Sequence, residues 1–380
     1  MTPDKWLEEN YLGEIFSGRF EHLKILVEEL DLMPRCQVVT IGGTNGKGET
    51  ARILESILNS HQFKTALNTS PHLVAVNERF VFNGEAISDS ELIENFQQIQ
   101  SLLDQRISYF EFLFLVFLNV VKKKSPDIVI LEVGLGGRLD ATNVLNADIA
   151  AITSISRDHQ DILGNSYRKI FFEKAGIFRK NQKVFTSFSL KFLNQLMQLT
   201  AQNLSLNWCP VEVGGDNFSQ ANRKLALAMA AELLDKEKCT IVSENTNDFA
   251  KRKSWMLKKK QFDLYPSHNP DGIRKLFQLL NASQYNHYDT LIISFSDRSE
   301  RDLDAMIKTL KQSFRVDQIF YYNFDHAKSL KREKRKQLKD KFGLQSLDKE
   351  TFSTELLGQN ILVTGSNYFL GEFIRYHSGC

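Results

Sequence analysis

The chain has 380 residues, 42% of them hydrophobic and 25% charged, with a net charge of +2. That length is too great for one core of ordinary size and predicts two domains in a soluble globular protein. The near-neutral charge argues against a dedicated nucleic-acid binder, and no apolar run approaches the roughly 20 residues that cross a bilayer. The opening segment Met1–Glu9 is polar and mixed in charge, unlike a signal peptide, so a cytoplasmic location is expected. Cys36, Cys209, Cys239 and Cys380 have no metal-ligand spacing and read as packing residues or a free terminal thiol in a reduced compartment.

In chain order, Val38–Ile41 is an apolar run that predicts a buried strand. It runs into Gly43-Thr44-Asn45-Gly46-Lys47-Gly48-Glu49-Thr50, and a helix-like stretch follows from Arg52. Strand, glycine-bracketed lysine and helix start form an arrangement that cradles a polyphosphate. Glycines let backbone N–H groups turn toward the anion, the helix N-terminus adds partial positive charge, and Lys47 adds a full one. The spacing departs from the common P-loop: Ile41 stands where its first glycine would fall, and glycine follows the lysine. On spacing alone the alternative is a plain glycine-rich turn.

Ile128–Val133 predicts a second strand, ending in Gly134-Leu135-Gly136-Gly137, and Ile149–Ser154 a third. In open α/β sheets ligands gather at the carboxyl ends of strands, so the segments after residues 41, 133 and 152 are expected on one edge. Asn222–Leu234 has helical periodicity, and Lys236–Lys260 turns polar and reads as a linker region. A second series follows, with strands at Leu291–Phe295, Gln318–Tyr322 and Ile361–Ser366 and a helix at Leu303–Leu310. The basic runs Lys251–Lys260 and Lys328–Lys341 read first as solvated faces and second as anion-attracting surface. The expected class is α/β, a P-loop-type, mostly parallel ATPase domain (1–245), a linker (246–260) and a smaller Rossmann-like domain (261–380).

Three further strings sharpen the reading. They are Thr69-Ser70-Pro71-His72-Leu73 with Asn77-Glu78-Arg79; Glu132 through Asn143; and Thr153-Ser154-Ile155 with Asp158-His159, then Glu173-Lys174-Ala175-Gly176-Ile177. Together with the glycine turn they resemble the folylpolyglutamate synthase/dihydrofolate synthase family, a branch of the Mur-type ligases. The resemblance is continuous from about residue 15 to 177 and patchy beyond 250.

The resemblance implies an ATP-dependent amide ligase. ATP phosphorylates a folate or dihydropteroate carboxylate, and the amine of L-glutamate attacks the acyl phosphate. Charge crowds the transfer step, so positioning, magnesium and cations are expected to do the catalysis. It implies Lys47 at the β/γ-phosphates, with Thr44, Asn45, Gly46 and Gly48 around them. Ser70 and Glu132 would bind one magnesium; the alternative for Glu132 is a pair with Arg138. His159 would bind a second magnesium or else be a capped polar group. Lys174 would be a CO₂-derived carbamate on that second metal, which requires a neutral, buried amine; the alternative is a surface lysine paired with Glu173. His72 and Asn77 would face the pterin, with a loop-ordering hydrogen bond as the alternative for His72. Asn222, His268 and Asn269 would contact nucleotide, with a helix N-cap as the alternative for Asn222. A monomer acting on small molecules, with no nucleic-acid or membrane partner, is expected.

Departures from the family pattern favour a second possibility, a divergent paralogue that binds nucleotide with weak or no ligase activity or takes another acid. Glu49 puts a carboxylate beside the expected polyphosphate, where it would face solvent at the helix start. Ile177–Asn222 is shorter than in typical members. The family's linker arginine is missing near Trp255–Lys259, and its aspartate before the His-Asn-Pro string is Tyr265. A lysine among 258–260 would be a poor substitute for the planar arginine fork.

Overall fold

The computed structural model describes residues 1–11, 20–104, 107–234, 253–282, 288–313 and 316–378. Two compact units are present: Met1–Asp216 with Gln220–Thr246, and Asn217–Ser219 with Asn247–Cys380. The expected boundary at 245/246, Lys251 and Arg252, Cys239 and Cys380 lie outside the described residues.

In the first unit, helices α1 (Pro3–Asn10) and α2 (Phe20–Glu29) precede β1 (Gln37–Gly42), α3 (Lys47–Ser60) and β2 (Thr65–Asn68). Then come β3 (Phe80–Phe82), β4 (Glu85–Ala86), α4 (Asp89–Leu102), α5 (Tyr109–Lys124), β5 (Ile128–Glu132), β6 (Ile149–Ile152), α6 (Gln160–Leu163) and α7 (Tyr167–Ala175). The unit ends with β7 (Lys183–Thr186), α8 (Lys191–Leu204), β8 (Asn207–Pro210) and α9 (Phe218–Leu233). The strand order is β4-β3-β2-β5-β1-β6-β7-β8, parallel except at the β2-β3-β4 edge.

β1 lies at the centre because Val38–Gly42 is buried on both faces, as a parallel strand between helical layers must be. The register Ile41↔Glu132 and Ile41↔Ala151 aligns the ends of β5, β1 and β6. The loops after these strands therefore emerge side by side, as expected from their sequence. Helix α5 opens with a reciprocal Ser108–Glu111 cap and is buried on all sides from Phe112 to Val121. Trp6 stacks on its Phe112 at 5.8 Å and fixes α1 against this layer.

The second unit contains β9 (Lys253–Leu257), β10 (Lys260–Pro266), α10 (Pro270–Ala282), β11 (Thr290–Ser294), α11 (Glu300–Ser313) and β12 (Gln318–Tyr322). It continues with α12 (Arg332–Phe342), β13 (Gln345–Leu347), β14 (Asn360–Gly365) and α13 (Asn367–His377). The order β13-β12-β11-β14-β10-β9 is parallel except for β9.

β9 corrects the linker expectation for Lys253–Leu257. It is an antiparallel edge strand, anchored by Trp255 stacked on Phe262 with ring centroids 5.2 Å apart. Lys258 and Lys259 form the tight β9–β10 turn, both with positive φ. The basic run ending at Lys341 forms most of α12, where Leu338 is the one buried residue. Among the described residues no helix is long and apolar enough to cross a membrane.

Candidate active site

The turn after β1 is shaped by two close approaches. Gly43 has φ +143, and a Cβ there would lie 1.9 Å from Thr153 Oγ1; Gly46 has φ +90, and its Cβ would lie 2.4 Å from Asn222 Oδ1. Only glycine accommodates both the left-handed backbone and the missing space.

The loop after β6 braces this turn. The Thr44 N–H donates to the Ser154 carbonyl at 2.7 Å, and the Asn45 N–H to Ser154 Oγ at 3.1 Å. Thr44 Oγ1 accepts from the Ser156 N–H at 3.0 Å, while Thr153 Oγ1 and Ser154 Oγ both donate to the Asn45 carbonyl. Thr44 and Asn45 therefore spend their backbone donors on the brace. The donors that a helix start leaves without an intrahelical partner lie at Lys47, Gly48 and Glu49, with Gly46 immediately before them. Lys47 Nζ folds back to the Thr44 carbonyl at 3.3 Å.

Glu132 ends β5, is 5% exposed, and accepts the Ser70 N–H on Oε2 at 2.9 Å. A Cβ on Gly48 would lie 2.9 Å from the same oxygen, so this carboxylate faces the lysine-bearing turn. Arg138 is not its partner, for Arg138 pairs with Glu173 at 3.1 Å. Arg52, which sequence reasoning missed, donates to the Gly48 carbonyl at 3.3 Å and to Thr69 Oγ1 at 3.2 Å. It joins the turn to the Ser70 loop. Its position one helical turn past Gly48 was the available signal.

Lys174 is strongly perturbed here. It is 4% exposed and donates to the Gly43 carbonyl at 2.8 Å. Burial, and next the nearby charge of Lys47, pull its amine down to about 7, while Asp158 and Asp140 pull the other way. The surface-lysine alternative is thus overturned: Glu173 serves Arg138, and Lys174 points inward. Two glycines allow this placement. A Cβ on Gly137 would lie 2.8 Å from the Lys174 carbonyl, and one on Gly176 would lie 2.4 Å from Arg138 Cβ. The loop after β5 and the end of α7 touch backbone to backbone. Asp140 accepts from the Leu135 and Thr142 N–H groups and holds the glycine loop in shape.

His159 opens α6 with a left-handed φ of 48°. Its side chain is 50% exposed, with Nε2 4.0 Å from Asp158 Oδ2. Among the described residues no three His, Cys, Asp or Glu side chains cluster closely enough to hold a metal ion by themselves. His72 Nδ1 accepts from Arg79 Nε at 2.8 Å, the loop-ordering bond. Asn77 is buried and donates to the Ile87 carbonyl and to Asp89 Oδ1, which ties its own hairpin.

Asn222 is no N-cap, because α9 begins at Phe218, a turn earlier. It is 1% exposed, and its amide donates to Glu49 Oε2 at 2.6 Å. Glu49 is itself only 8% exposed, which corrects the expectation of a solvent-facing acid. Its neighbour across the fold was invisible in local sequence.

In the second unit, Asn269 Oδ1 accepts the Gly272 N–H at 2.7 Å and its amide lies 3.4 Å from His268 Nε2, so Asn269 caps the start of α10. Tyr265 is buried in that unit's core, with its carbonyl accepting from Thr364 Oγ1.

Residues 41–207 match the Mur ligase middle domain. The dihydrofolate synthase/folylpolyglutamate synthase of Haemophilus influenzae is 40% identical over 228 residues, covering 58% of this chain and 52% of the relative. The Escherichia coli protein of the same name is 42% identical over 182 residues. The fold of this chain corresponds along nearly its whole length to that of a solved bifunctional folylpolyglutamate synthase/dihydrofolate synthase with Mn, AMPPNP and L-glutamate bound. That pair has a TM-score of 0.82 at 26% identity, covering 99% of this chain and 98% of the other.

In both sequence and fold the chain is similar to the folylpolyglutamate synthase/dihydrofolate synthase family. The sequence match spans about half the length of the curated relatives, whereas the structural match covers 99% of this chain. A further family structure, Escherichia coli FolC in complex with DHPP and ADP, has a TM-score of 0.80 at 26% identity and covers 99% of this chain and 97% of the other.

Proposed function

We propose that this protein is an ADP-forming ligase that joins L-glutamate to a folate or dihydropteroate carboxylate through an acyl phosphate. The observation that carries this reading is the Lys174 amine, pulled down to about 7 and buried against the backbone of the glycine turn that Glu132 also faces. A surface turn would need neither group. The bound states named for the family structures support the substrate assignment: an ATP analogue with Mn and L-glutamate in one, DHPP with ADP in another.

The donors suit a hard divalent cation. Glu132 is a buried carboxylate holding one backbone N–H, the Ser70 hydroxyl stands on the same loop, and no Cβ at Gly48 obstructs them. These two residues would hold a first magnesium, and His159 with a Lys174 carbamate a second. When bound, the metal neutralises charge on the triphosphate. Lys47 and the N–H groups of Gly46, Lys47 and Gly48 hold the phosphates in line with the acceptor carboxylate. Carbamate formation joins the neutral Lys174 amine to CO₂ with loss of one proton, converting the donor on Gly43 into an oxygen ligand. His72, ordered by Arg79, would be a pterin-side group. The protein is read as a cytoplasmic monomer.

Glutamate-dependent ADP release, measured in parallel with dihydropteroate and a reduced folate, tests the reading. Stimulation by either acceptor is expected. If neither stimulates while ATP still binds, the protein is a divergent nucleotide binder, the reading favoured by buried Tyr265 and by the Glu49–Asn222 contact.

A further inference from the structure

The first turn of α3 contains a group that the ligase reading does not use. Glu49 is placed two residues beyond Lys47, in the turn whose N–H groups would face the triphosphate. It is buried rather than rotated into water, and Oε2 takes the Asn222 amide at 2.6 Å. The side chain of Asn222 in turn fills the space over Gly46, within 2.4 Å of where a Cβ would stand. One carboxylate thus fixes the side chain that closes over the phosphate turn.

We propose that Glu49 is a positioning residue that sets nucleotide affinity in this protein, making tight binding conditional on a divalent cation. The inference rests on the ligase reading only in assigning the turn to a nucleotide. In its ionised form a carboxylate within a turn of the phosphates opposes them, and burial weakens the screening that water would give. A metal on Glu132 and the phosphates offsets that opposition. Without it, Glu49 and the triphosphate compete for the same positive helix end. The Asn222 amide, held by Glu49, is then presented to nucleotide in one orientation instead of rotating freely.

The test is titration calorimetry of ATP and ADP on the full chain, with and without magnesium. Glu49→Gln keeps an acceptor for Asn222 and removes the charge; Glu49→Ser removes both. Without magnesium, Glu49→Gln is expected to bind nucleotide roughly tenfold more tightly than the parent protein, with the gap narrowing at saturating magnesium. Glu49→Ser is expected to bind no more tightly than Glu49→Gln, because Asn222 is released. A structural role alone would not produce this metal dependence.

Equal affinity of Glu49→Gln and the parent without magnesium would overturn the proposal. So would a loss of affinity confined to magnesium, which would make Glu49 a metal ligand. Neither result touches the ligase reading, since no acceptor or glutamate is present. Failure of every form to bind nucleotide would overturn both.

Discussion

Lys174 Nζ and the Gly43 carbonyl are 2.8 Å apart, so a single buried amine connects the end of α7 to the phosphate turn across 131 residues of sequence. A charged lysine is poorly accommodated there, and the amine is held at about 7.

Lys174→Ala is therefore expected to lower turnover by at least two orders of magnitude, and Lys174→Arg is expected not to rescue it, because a guanidinium cannot form a carbamate. The neutral fraction of Lys174 grows as pH rises through 7. Carbamate content, followed by ¹³C NMR with labelled bicarbonate, should rise over the same interval. A fully active alanine variant would remove the carbamate from the mechanism.

Glu132→Gln preserves the size of the side chain and an acceptor for the Ser70 N–H, so the fold should survive. Losing the charge should raise the magnesium concentration for half-maximal ADP release at least tenfold, with a smaller effect on the KM for glutamate. A magnesium titration of initial rates checks this.

Gly46→Ala forces a side chain into left-handed backbone and onto Asn222. The backbone alone costs about 1–2 kcal/mol, and the displaced asparagine adds to it. Nucleotide affinity should fall at least tenfold, and the thermal midpoint should drop, by calorimetry and circular dichroism. Gly215 also has a positive φ but has no atom near its missing Cβ, so Gly215→Ala should show only the backbone effect.

In the second unit His377 Nε2 lies 2.9 Å from Tyr322 Oη and its ring stacks on Phe352 at 3.9 Å. Burial pushes the imidazole from 6.5 down to about 4. Because the folded value is depressed, stability is full above pH 6.5 and is lost as pH falls toward 4. The loss should total roughly 2–3 kcal/mol. His377→Gln should flatten this acid limb in urea melts between pH 7 and 4; an unchanged limb would remove His377 as its cause.

The main strands were legible because Val38–Ile41, Ile128–Leu131 and Gln318–Tyr322 are compact apolar or aromatic runs ending at glycine or polar residues. The shared edge of the first two followed from the parallel-sheet pattern. β9 escaped notice because its residues alternate between exposed and half-buried positions and are flanked by lysines, so it resembles a polar connector. At the site, Lys174 was legible from its apolar surroundings in Phe171–Phe178. The side chains set by tertiary partners were not. Asn222 suggested a cap, yet its partner Glu49 lies 173 positions away. The Thr44 and Asn45 N–H groups suggested phosphate donors until the Ser154 loop claimed them.

The abutment of Gly137 on the Lys174 carbonyl and of Gly176 on Arg138 limits what either position tolerates. The two segments cannot drift apart in sequence one at a time, since any added methyl on either side would wedge α7 outward and withdraw its amine from the turn.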